Sequence, residues 1–257
     1  MNVLLIGDIV GKQGCEYLRD QLPELKRDYK ADIVIANGEN SAVGNGITPQ
    51  SAKYIFDSGV DVITLGNHSL RRPEIADYLE TNDCIIRPEN YHPSAPGKGF
   101  TVLDKGRYQV LVANLQGVVF LDNNENPFDA ADRIVQYAED NGIKSVIIDF
   151  HAEASSEKRA MAFYLDGRVS AVVGTHTHVQ TSDEQIMPNG TAYITDLGMT
   201  APYYSVLGIE PEIIIQKLRT NLPVKFRNPD GPGVMEGCFI SLDEKTGKAV
   251  TIERFRR

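Results

Sequence analysis

Two histidines separated by one residue follow an apolar run in the middle of the chain. Val172 and Val173 lead into Gly174, and His176 and His178 come directly after Thr175 and Thr177. In an extended chain this spacing puts both rings on one face, roughly 7 Å apart at Cα from a rise of ~3.3 Å per residue. The ions of a dinuclear site lie about 3.5–4 Å apart, so each could take one ring. Taken alone, the pair fits two surface loop histidines equally well.

Four other apolar runs also end in side chains of the types that bind metals. Residues 3–6 lead to Asp8, 33–36 to Glu39 and Asn40, 60–65 to Asn67 and His68, and 146–148 to His151. Each ending alone has a simpler explanation, such as a turn residue or a local hydrogen bond. In open α/β sheets, however, ligands bind beyond the carboxyl ends of the strands. If the strands are parallel, the five endings converge, and the sequence predicts a metal site there.

Length, charge and cysteine content limit the class of protein. A chain of 257 residues with 42% hydrophobic content can form a full core in one domain spanning 1–257. A net charge of -9 argues against sequence-independent binding of long nucleic acid, but it does not exclude binding of a short nucleotide at a cationic metal centre. Three scattered cysteines, Cys15, Cys84 and Cys238, favour a reducing compartment. With no signal peptide and no membrane-length apolar run, we expect a cytoplasmic protein.

Periodicity and turn residues predict strands alternating with helices up to about residue 80, followed by two hairpins mixed with further helices. The expected helices are 15–29, 49–57, 73–79, 127–141, 155–165 and 211–220, the hairpins are 100–117 and 234–255, and 84–99 is an irregular loop. Hairpins mixed into a βαβ framework predict a two-sheet core covered by helices. A phosphate-binding P-loop is excluded, because Gln13 follows Gly11-Lys12 and Ile6 stands where the motif needs a glycine.

Taken in order, these strand endings resemble the motifs of the calcineurin-like metallophosphoesterases, and in particular the YmdB family of bacterial phosphodiesterases. The matching text includes Ile6-Gly7-Asp8-Ile9-Val10-Gly11, Thr191-Ala192-Tyr193-Ile194-Thr195-Asp196 and Thr220-Asn221-Leu222-Pro223. The resemblance covers essentially the whole chain. It implies an α/β fold with a four-layer αββα sandwich.

Two departures from the superfamily pattern and one from the YmdB family are informative. Val10 replaces the histidine of the usual Asp-x-His motif, and Glu39 replaces the bridging aspartate. The YmdB family shares both changes, and Asn40 matches the position that completes its first metal shell. The third departure is Ser69-Leu70-Arg71-Arg72, where the family has Thr and often an aromatic residue. This edge of the site therefore differs from the family.

The resemblance implies two metal ions bridged by Glu39, with His68 beside them as the proton donor. The first ion would be held by Asp8, Glu39, Asn40 and His178, and the second by Glu39, Asn67, His151 and His176. Arg71 and Arg72 could contact a substrate phosphate. They could equally be solvated arginines at the start of a surface helix.

Two divalent ions, two carboxylates and a bridging hydroxide would leave a centre with a net charge of about +1, which suits a phosphodiester anion. Imidazole-rich ligation without thiolates favours iron, manganese or zinc over magnesium, and the resemblance favours iron. The expected activity is hydrolysis of a small phosphodiester substrate, a 2′,3′- or 3′,5′-cyclic nucleotide, by attack of the hydroxide with His68 as the acid. The alternatives are a phosphomonoesterase or nucleotidase, and a metal-binding regulatory protein with vestigial activity. No membrane partner is expected, and homo-oligomer formation is left open.

Overall fold

The computed structural model describes residues 1–257 and contains six α-helices and two β-sheets. The helices are α1 (Gly11–Tyr29), α2 (Pro49–Asp57), α3 (Ala76–Thr81), α4 (Pro127–Asp140), α5 (Ser155–Leu165) and α6 (Pro211–Thr220), and a 3-10 turn, Pro73–Ile75, precedes α3. No helix combines the length and the apolar content that crossing a membrane requires.

The first sheet has eight strands and includes both chain termini. Its strands are β1 (Asn2–Ile6), β2 (Asp8–Ile9), β3 (Ile33–Asn37), β4 (Val62–Thr64), β5 (Ile85–Ile86), β12 (Met199–Pro202), β13 (Gly233–Leu242) and β14 (Ala249–Arg256). The order is β2-β12-β13-β1-β3-β4-β5, with β14 paired to β13. Neighbours among β1, β3, β4 and β5 pair in parallel, so their carboxyl ends share one edge.

The second sheet has six strands, in the order β10-β11-β9-β8-β7-β6. They are β6 (Phe100–Asp104), β7 (Gln109–Gln116), β8 (Ser145–His151), β9 (Ala171–Thr175), β10 (Gln185–Ile186) and β11 (Ala192–Ile194). Neighbours among β7, β8, β9 and β11 are parallel, while β6 and β10 pair antiparallel at the two edges.

Three apolar clusters separate the layers. One joins the facing sides of the two sheets and includes Val3 and Ile35 from the first and Val112 and Ile147 from the second. The other two lie outside this pair, one between the first sheet and α1 to α3, the other between the second sheet and α4 and α5. The layers run helix, sheet, sheet, helix, which confirms the predicted αββα sandwich.

Most predicted elements occur where expected, and three differ. Helix α1 begins at Gly11, four residues early, because Gly11 and Gly14 are buried without apolar side chains to signal it. The helix predicted at 73–79 is a 3-10 turn followed by α3. The predicted loop 84–99 contains the short strand β5.

Candidate metal centre

The buried carboxylate of Glu39 is the centre of a cluster at the carboxyl ends of the parallel strands. It follows β3 by two residues and is fully enclosed. Its Oε1 lies 3.1 Å from Asn40 Nδ2 and 3.2 Å from both His68 Nδ1 and His151 Nε2. Its Oε2 accepts a hydrogen bond of 2.8 Å from the backbone N–H of His68. One carboxylate therefore contacts groups from both sheets.

Two imidazoles face each other beside Glu39, with His151 Nε2 and His176 Nδ1 3.0 Å apart. His151 Nδ1 lies 2.9 Å from the hydroxyl of Thr175, which itself donates to Asp149, so Nδ1 carries the proton. His176 Nε2 lies 3.0 Å from the Glu153 carboxylate and likewise donates. The two facing nitrogens then both present lone pairs. They can approach this closely only with a positive charge between them, a proton or a metal ion, and Glu39, His151 and His176 offer ligand atoms close enough to share one.

The Asn67 amide completes this side of the cluster. Its Oδ1 lies 3.0 Å from His151 Nε2. The preceding Gly66 is necessary there, because a Cβ at that position would overlap the His151 ring. Residues 67–70 form a turn. The side chains of Asn67 and His68 contact different partners, since His68 Nδ1 faces Asn40 Oδ1 at 3.0 Å.

Asp8 and His178 form the other side. Asp8 is fully buried, its Oδ2 accepts from the backbone of His176, and its Oδ1 has no hydrogen-bond partner. That free oxygen lies 3.4 Å from His178 Nε2, which is also 3.4 Å from Asn40 Nδ2. A buried carboxylate oxygen without a donor is costly, and a cation would satisfy it. For Asn40 to offer its oxygen there, its amide would have to rotate by half a turn.

The two histidines of the His-x-His pair do not lie in extended chain. Strand β9 ends at Thr175, and His176 and His178 have positive φ angles of 96° and 61°. Our expectation of two rings on one face was therefore wrong. A tertiary contact accounts for this conformation. Thr177, the residue between the two histidines, donates hydrogen bonds from its backbone N–H and its hydroxyl to the carboxylate of Asp196. The rings consequently reach different partners, His151 and Asp8.

Charges in the cluster are strongly coupled. Burial raises the pKa of Glu39, but His151 and His68 outweigh it and hold the pKa well below the usual value. Burial lowers the pKa of His151, but Glu39 and Asp8 raise it to about 9. Burial and the charge on His151 lower the pKa of His176 to about 4. Without a metal the cluster thus holds ionised carboxylates and a protonated His151, the charge distribution that a cation would replace.

The cluster opens into a pocket of about 340 Å³ with two unlike walls. Glu39, Asn40, His68, His176 and His178 line one side, while apolar residues from the segment 206–226 line the other. A larger cavity of about 450 Å³ adjoins the 41–43 loop and contains none of the ligating residues. We assign the chemistry to the smaller pocket because the buried carboxylates and imidazoles are there.

Arg71 and Arg72 lie outside that pocket. Arg72 lines the larger cavity, and its guanidinium donates to the backbone carbonyls of Asn45 and Val43. Arg71 is exposed. In this arrangement Arg72 holds the loop that follows Asn40.

Comparison with known proteins identifies the family. The model of the YmdB-like proteins matches residues 4–255. The chain belongs to the YmdB-like family. A 2′,3′-cyclic-nucleotide 2′-phosphodiesterase of Bacillus subtilis (strain 168) is 46% identical over 254 residues, 99% of this chain and 96% of that protein.

Two solved structures match this YmdB-like chain closely. A hypothetical protein from Thermus thermophilus has a TM-score of 0.93 and 39% identity, covering 100% of this chain and 99% of that one. A phosphatase from Mycoplasma pneumoniae also has a TM-score of 0.93, with 32% identity and coverage of 100% and 93%. The predicted family and fold are confirmed. The prediction of a phosphoric ester hydrolase is confirmed by the B. subtilis phosphodiesterase, at 46% identity, and the M. pneumoniae phosphatase.

The sequence did not reveal the groups that orient the ligand side chains. Thr175 and Glu153 hold the outer nitrogens of His151 and His176. Asp196 holds the histidine loop and pairs at 2.7 Å with Lys158, which is almost fully buried. Of these groups, Glu153 lies two residues beyond the predicted ligand His151, and this nearness is its local signal. Each of the others comes from a different element than the side chain it orients.

Proposed function

We propose that this protein is a 2′,3′-cyclic-nucleotide phosphodiesterase that requires two divalent metal ions. The observation that carries the proposal is the donor set around Glu39, in which two imidazole lone pairs and an unpartnered carboxylate oxygen converge. The 46% identical relative of B. subtilis supplies the substrate class. A proton between the two imidazoles can fill one gap between these donors, but it leaves Asp8 Oδ1 with only its 3.4 Å contact to His178 Nε2.

The ligands divide around the bridging carboxylate of Glu39. Those proposed for the first ion are Asp8, Glu39, Asn40 and His178, and those for the second are Glu39, Asn67, His151 and His176. Imidazole, carboxylate and amide donors without a thiolate suit iron, and manganese or zinc would also fit. When bound, the ions would lower the pKa of water and polarise the phosphoryl oxygens. Each ligating histidine has its outer nitrogen engaged, which fixes its tautomer.

His68 is the proposed proton donor. Its ring lines the pocket and its side chain is 25% exposed. Asn40 and Glu39 engage Nδ1, which leaves Nε2 to face substrate. Hydrolysis forms a bond from a water oxygen to phosphorus and breaks the P–O2′ bond. His68 gives a proton to O2′, and the proton that the attacking water loses to solvent balances the one with which His68 is later recharged. The product is a nucleoside 3′-phosphate.

The test is an assay of the purified protein loaded in turn with Fe²⁺, Mn²⁺ and Zn²⁺. The substrates are 2′,3′-cyclic AMP, 3′,5′-cyclic AMP and 3′-AMP, with products identified by chromatography. We expect 3′-AMP from the 2′,3′-cyclic substrate and at most slow release of inorganic phosphate from 3′-AMP. Faster hydrolysis of 3′-AMP would identify a phosphomonoesterase. No turnover with any metal would favour the regulatory alternative.

We also propose that the protein works in the cytoplasm. All three cysteines are free, and Cys15 and Cys238 are buried, as a reducing compartment allows.

A further inference from the structure

The apolar wall of the metal pocket belongs to a segment that projects from the first sheet. The chain leaves β12 at Pro202 and returns to β13 at Gly233, and we call residues 207–226 between them the arm. Helix α6 lies within the arm and has no buried residue. The arm is therefore not held in place by a core of its own.

Hydrogen bonds instead close the arm at its base. The backbone N–H of Glu210 donates to the carbonyl of Arg227 at 2.9 Å, and the two side chains form an ion pair of 2.9 Å. The amide of Asn228 donates to the carbonyl of Gly208 at 2.7 Å. These contacts join the two ends of the arm to each other.

The base of the arm also touches the metal centre. The carbonyl of Leu207 lies 3.3 Å from His178 Nδ1. Leu207 adopts a positive φ of 54°, a conformation that disfavours a branched side chain. That backbone conformation accompanies both the contact to His178 and the exposure of the Leu207 side chain to the pocket.

Four arm residues make the wall: Leu207, Ile209, Ile214 and Phe226. The Leu207 side chain is 44% exposed, and Ile214 and Phe226 are half-buried. The Lys217 ammonium lies 4.9 Å from the centre of the Phe226 ring. Phe226 lines the metal pocket and Lys217 does not, so the ring can contact a ligand in the pocket while the ammonium packs against it.

We propose that this wall binds the nucleobase, with Phe226 as the aromatic group on which the base stacks. The inference rests on the proposed function. With the phosphodiester at the metal ligands, the flat base is the one apolar part of a nucleotide, and four of the six apolar residues that line the pocket belong to the arm. A volume of about 340 Å³ is at the small end of the range for ligand sites, so the substrate is a mononucleotide. Stacking tolerates every base, so the enzyme accepts purines and pyrimidines alike.

The experiment separates the base from the rest of the substrate. Phe226→Ala and Ile214→Ala are compared with wild type on 2′,3′-cyclic AMP and on methyl riboside 2′,3′-cyclic phosphate, which has no base. Loss of stacking is worth about 1–3 kcal/mol, so KM for cyclic AMP should rise roughly 5- to 150-fold in Phe226→Ala, with the base-free substrate unchanged. Phe226→Trp, which keeps an aromatic ring at this position, should have the wild-type KM for cyclic AMP.

Ile215→Ala is the matched control, because Ile215 neighbours Ile214 on α6 but is 52% exposed and does not line the pocket. Its KM should equal that of wild type for both substrates. An equal rise of KM for both substrates in Phe226→Ala would overturn the base-binding role.

Binding of products keeps this proposal separate from the proposed function. Calorimetry compares 3′-AMP with ribose 3-phosphate in the metal-loaded protein, whether or not it turns over a cyclic nucleotide. If Phe226→Ala binds 3′-AMP more weakly but binds ribose 3-phosphate as wild type does, the wall binds the base, even if the cyclic substrate is not hydrolysed. If Phe226→Ala hydrolyses the cyclic substrate normally and binds 3′-AMP as wild type does, the base-binding role of the wall is wrong and the proposed function stands.

Discussion

Each histidine proposed as a metal ligand has one ring nitrogen held by an outer partner and the other directed into the cluster. The pairs are His151 with Thr175, His176 with Glu153, and His178 with the carbonyl of Leu207. Such partners select the tautomer and the ring orientation of metal-binding histidines. Each of the three imidazoles would therefore present a fixed ring nitrogen to a bound ion, and the carboxylate of Glu39 lies close to His151 and His176.

Glu39→Gln tests the bridging role directly. The amide keeps the shape but removes a charge that two ions would share, so we expect activity to fall by orders of magnitude while the fold survives. Kinetic assays, metal analysis and circular dichroism measure the three effects. Glu184→Gln is a matched control, because its carboxylate pairs with Arg254 and contacts none of the ligands. Full activity and two bound metals in Glu39→Gln would refute the bridge.

His68→Ala tests the proton donor. The variant should keep its metals and lose roughly 10²–10⁴ in rate, the usual contribution of a general acid. The loss should be smaller for bis-p-nitrophenyl phosphate, because nitrophenolate leaves without needing a proton. His92→Ala, an exposed histidine outside the cluster, should behave as wild type. An equal loss on both substrates would mean that His68 orients the substrate.

At the scale of elements, a buried ion pair shapes the histidine loop. Asp196 accepts from Lys158 at 2.7 Å, from the backbone and hydroxyl of Thr177 at 3.1 and 2.7 Å, and from Gly198 at 2.9 Å. Lys158, by contrast, has Asp196 as its one hydrogen-bond partner. Both side chains are almost fully buried, so each depends on the other for charge compensation.

This asymmetry predicts unequal effects of removing either partner. Asp196→Asn leaves the buried Lys158 ammonium unpaired and weakens the histidine loop, so the free energy of unfolding should fall by about 3–5 kcal/mol. Lys158→Met should cost less, since Asp196 keeps three other donors. Urea denaturation measures both, with Asp132→Asn in the surface pair to Arg168 as a control that costs about 1 kcal/mol or less. A larger loss in Lys158→Met would contradict the asymmetry.

Local signals explain which elements could be predicted from the sequence. Helix α2 begins after the N-cap Thr48 with Pro49 at its first position, and both its bounds were predicted. The first turn of α1 was missed because Gly14 packs its backbone against the carbonyl of Thr200, a contact that no periodicity encodes. The conformation of the His176 loop was missed for the same reason, since Asp196 comes from another part of the chain.

The residues of the candidate site also fall into those that the sequence predicts and those that it does not. The structure brings together the side chains that end the parallel strands, Asp8, Glu39, Asn40, Asn67, His68, His151, His176 and His178. Strand ends have a sequence signature, which is why these residues could be chosen. The apolar wall around Phe226 has none, because α6 reads as an ordinary amphipathic helix until its position over the pocket is known.

At the scale of the whole molecule, the centre joins the two sheets. Asp8, Glu39 and Asn67 come from the first sheet or the turns after it, and His151 and His176 come from the second. Beneath them a polar network crosses the same interface: Thr64 and Asn37 of the first sheet donate to Asp149 of the second. Burial raises the pKa of Asp149 to about 6. Apolar side chains, including Val3, Ile35, Val112 and Ile147, also pack between the two sheets.

Metal removal should therefore loosen both sheets together. An ion held at 100 times its Kd stabilises the native state by about 2.7 kcal/mol. For a chain of this length each kcal/mol shifts Tm by about 2–4 °C, so stripping one such ion should lower Tm by about 5–11 °C. The Tm of Glu39→Gln should fall much less on chelation, because this variant holds its ions weakly. The Tm of Glu184→Gln should fall as much as that of wild type.

Hydrogen exchange locates the effect within the molecule. On chelation, amides at the carboxyl ends of β3 and β4 and of β8 and β9 should lose protection together, because the ligands proposed for the second ion follow these four strands. The hairpin of β13 and β14, which carries no ligand, should exchange at an unchanged rate. Loss of protection confined to the first sheet would mean that the ions bind without His151 and His176, and the proposed second metal site would be wrong.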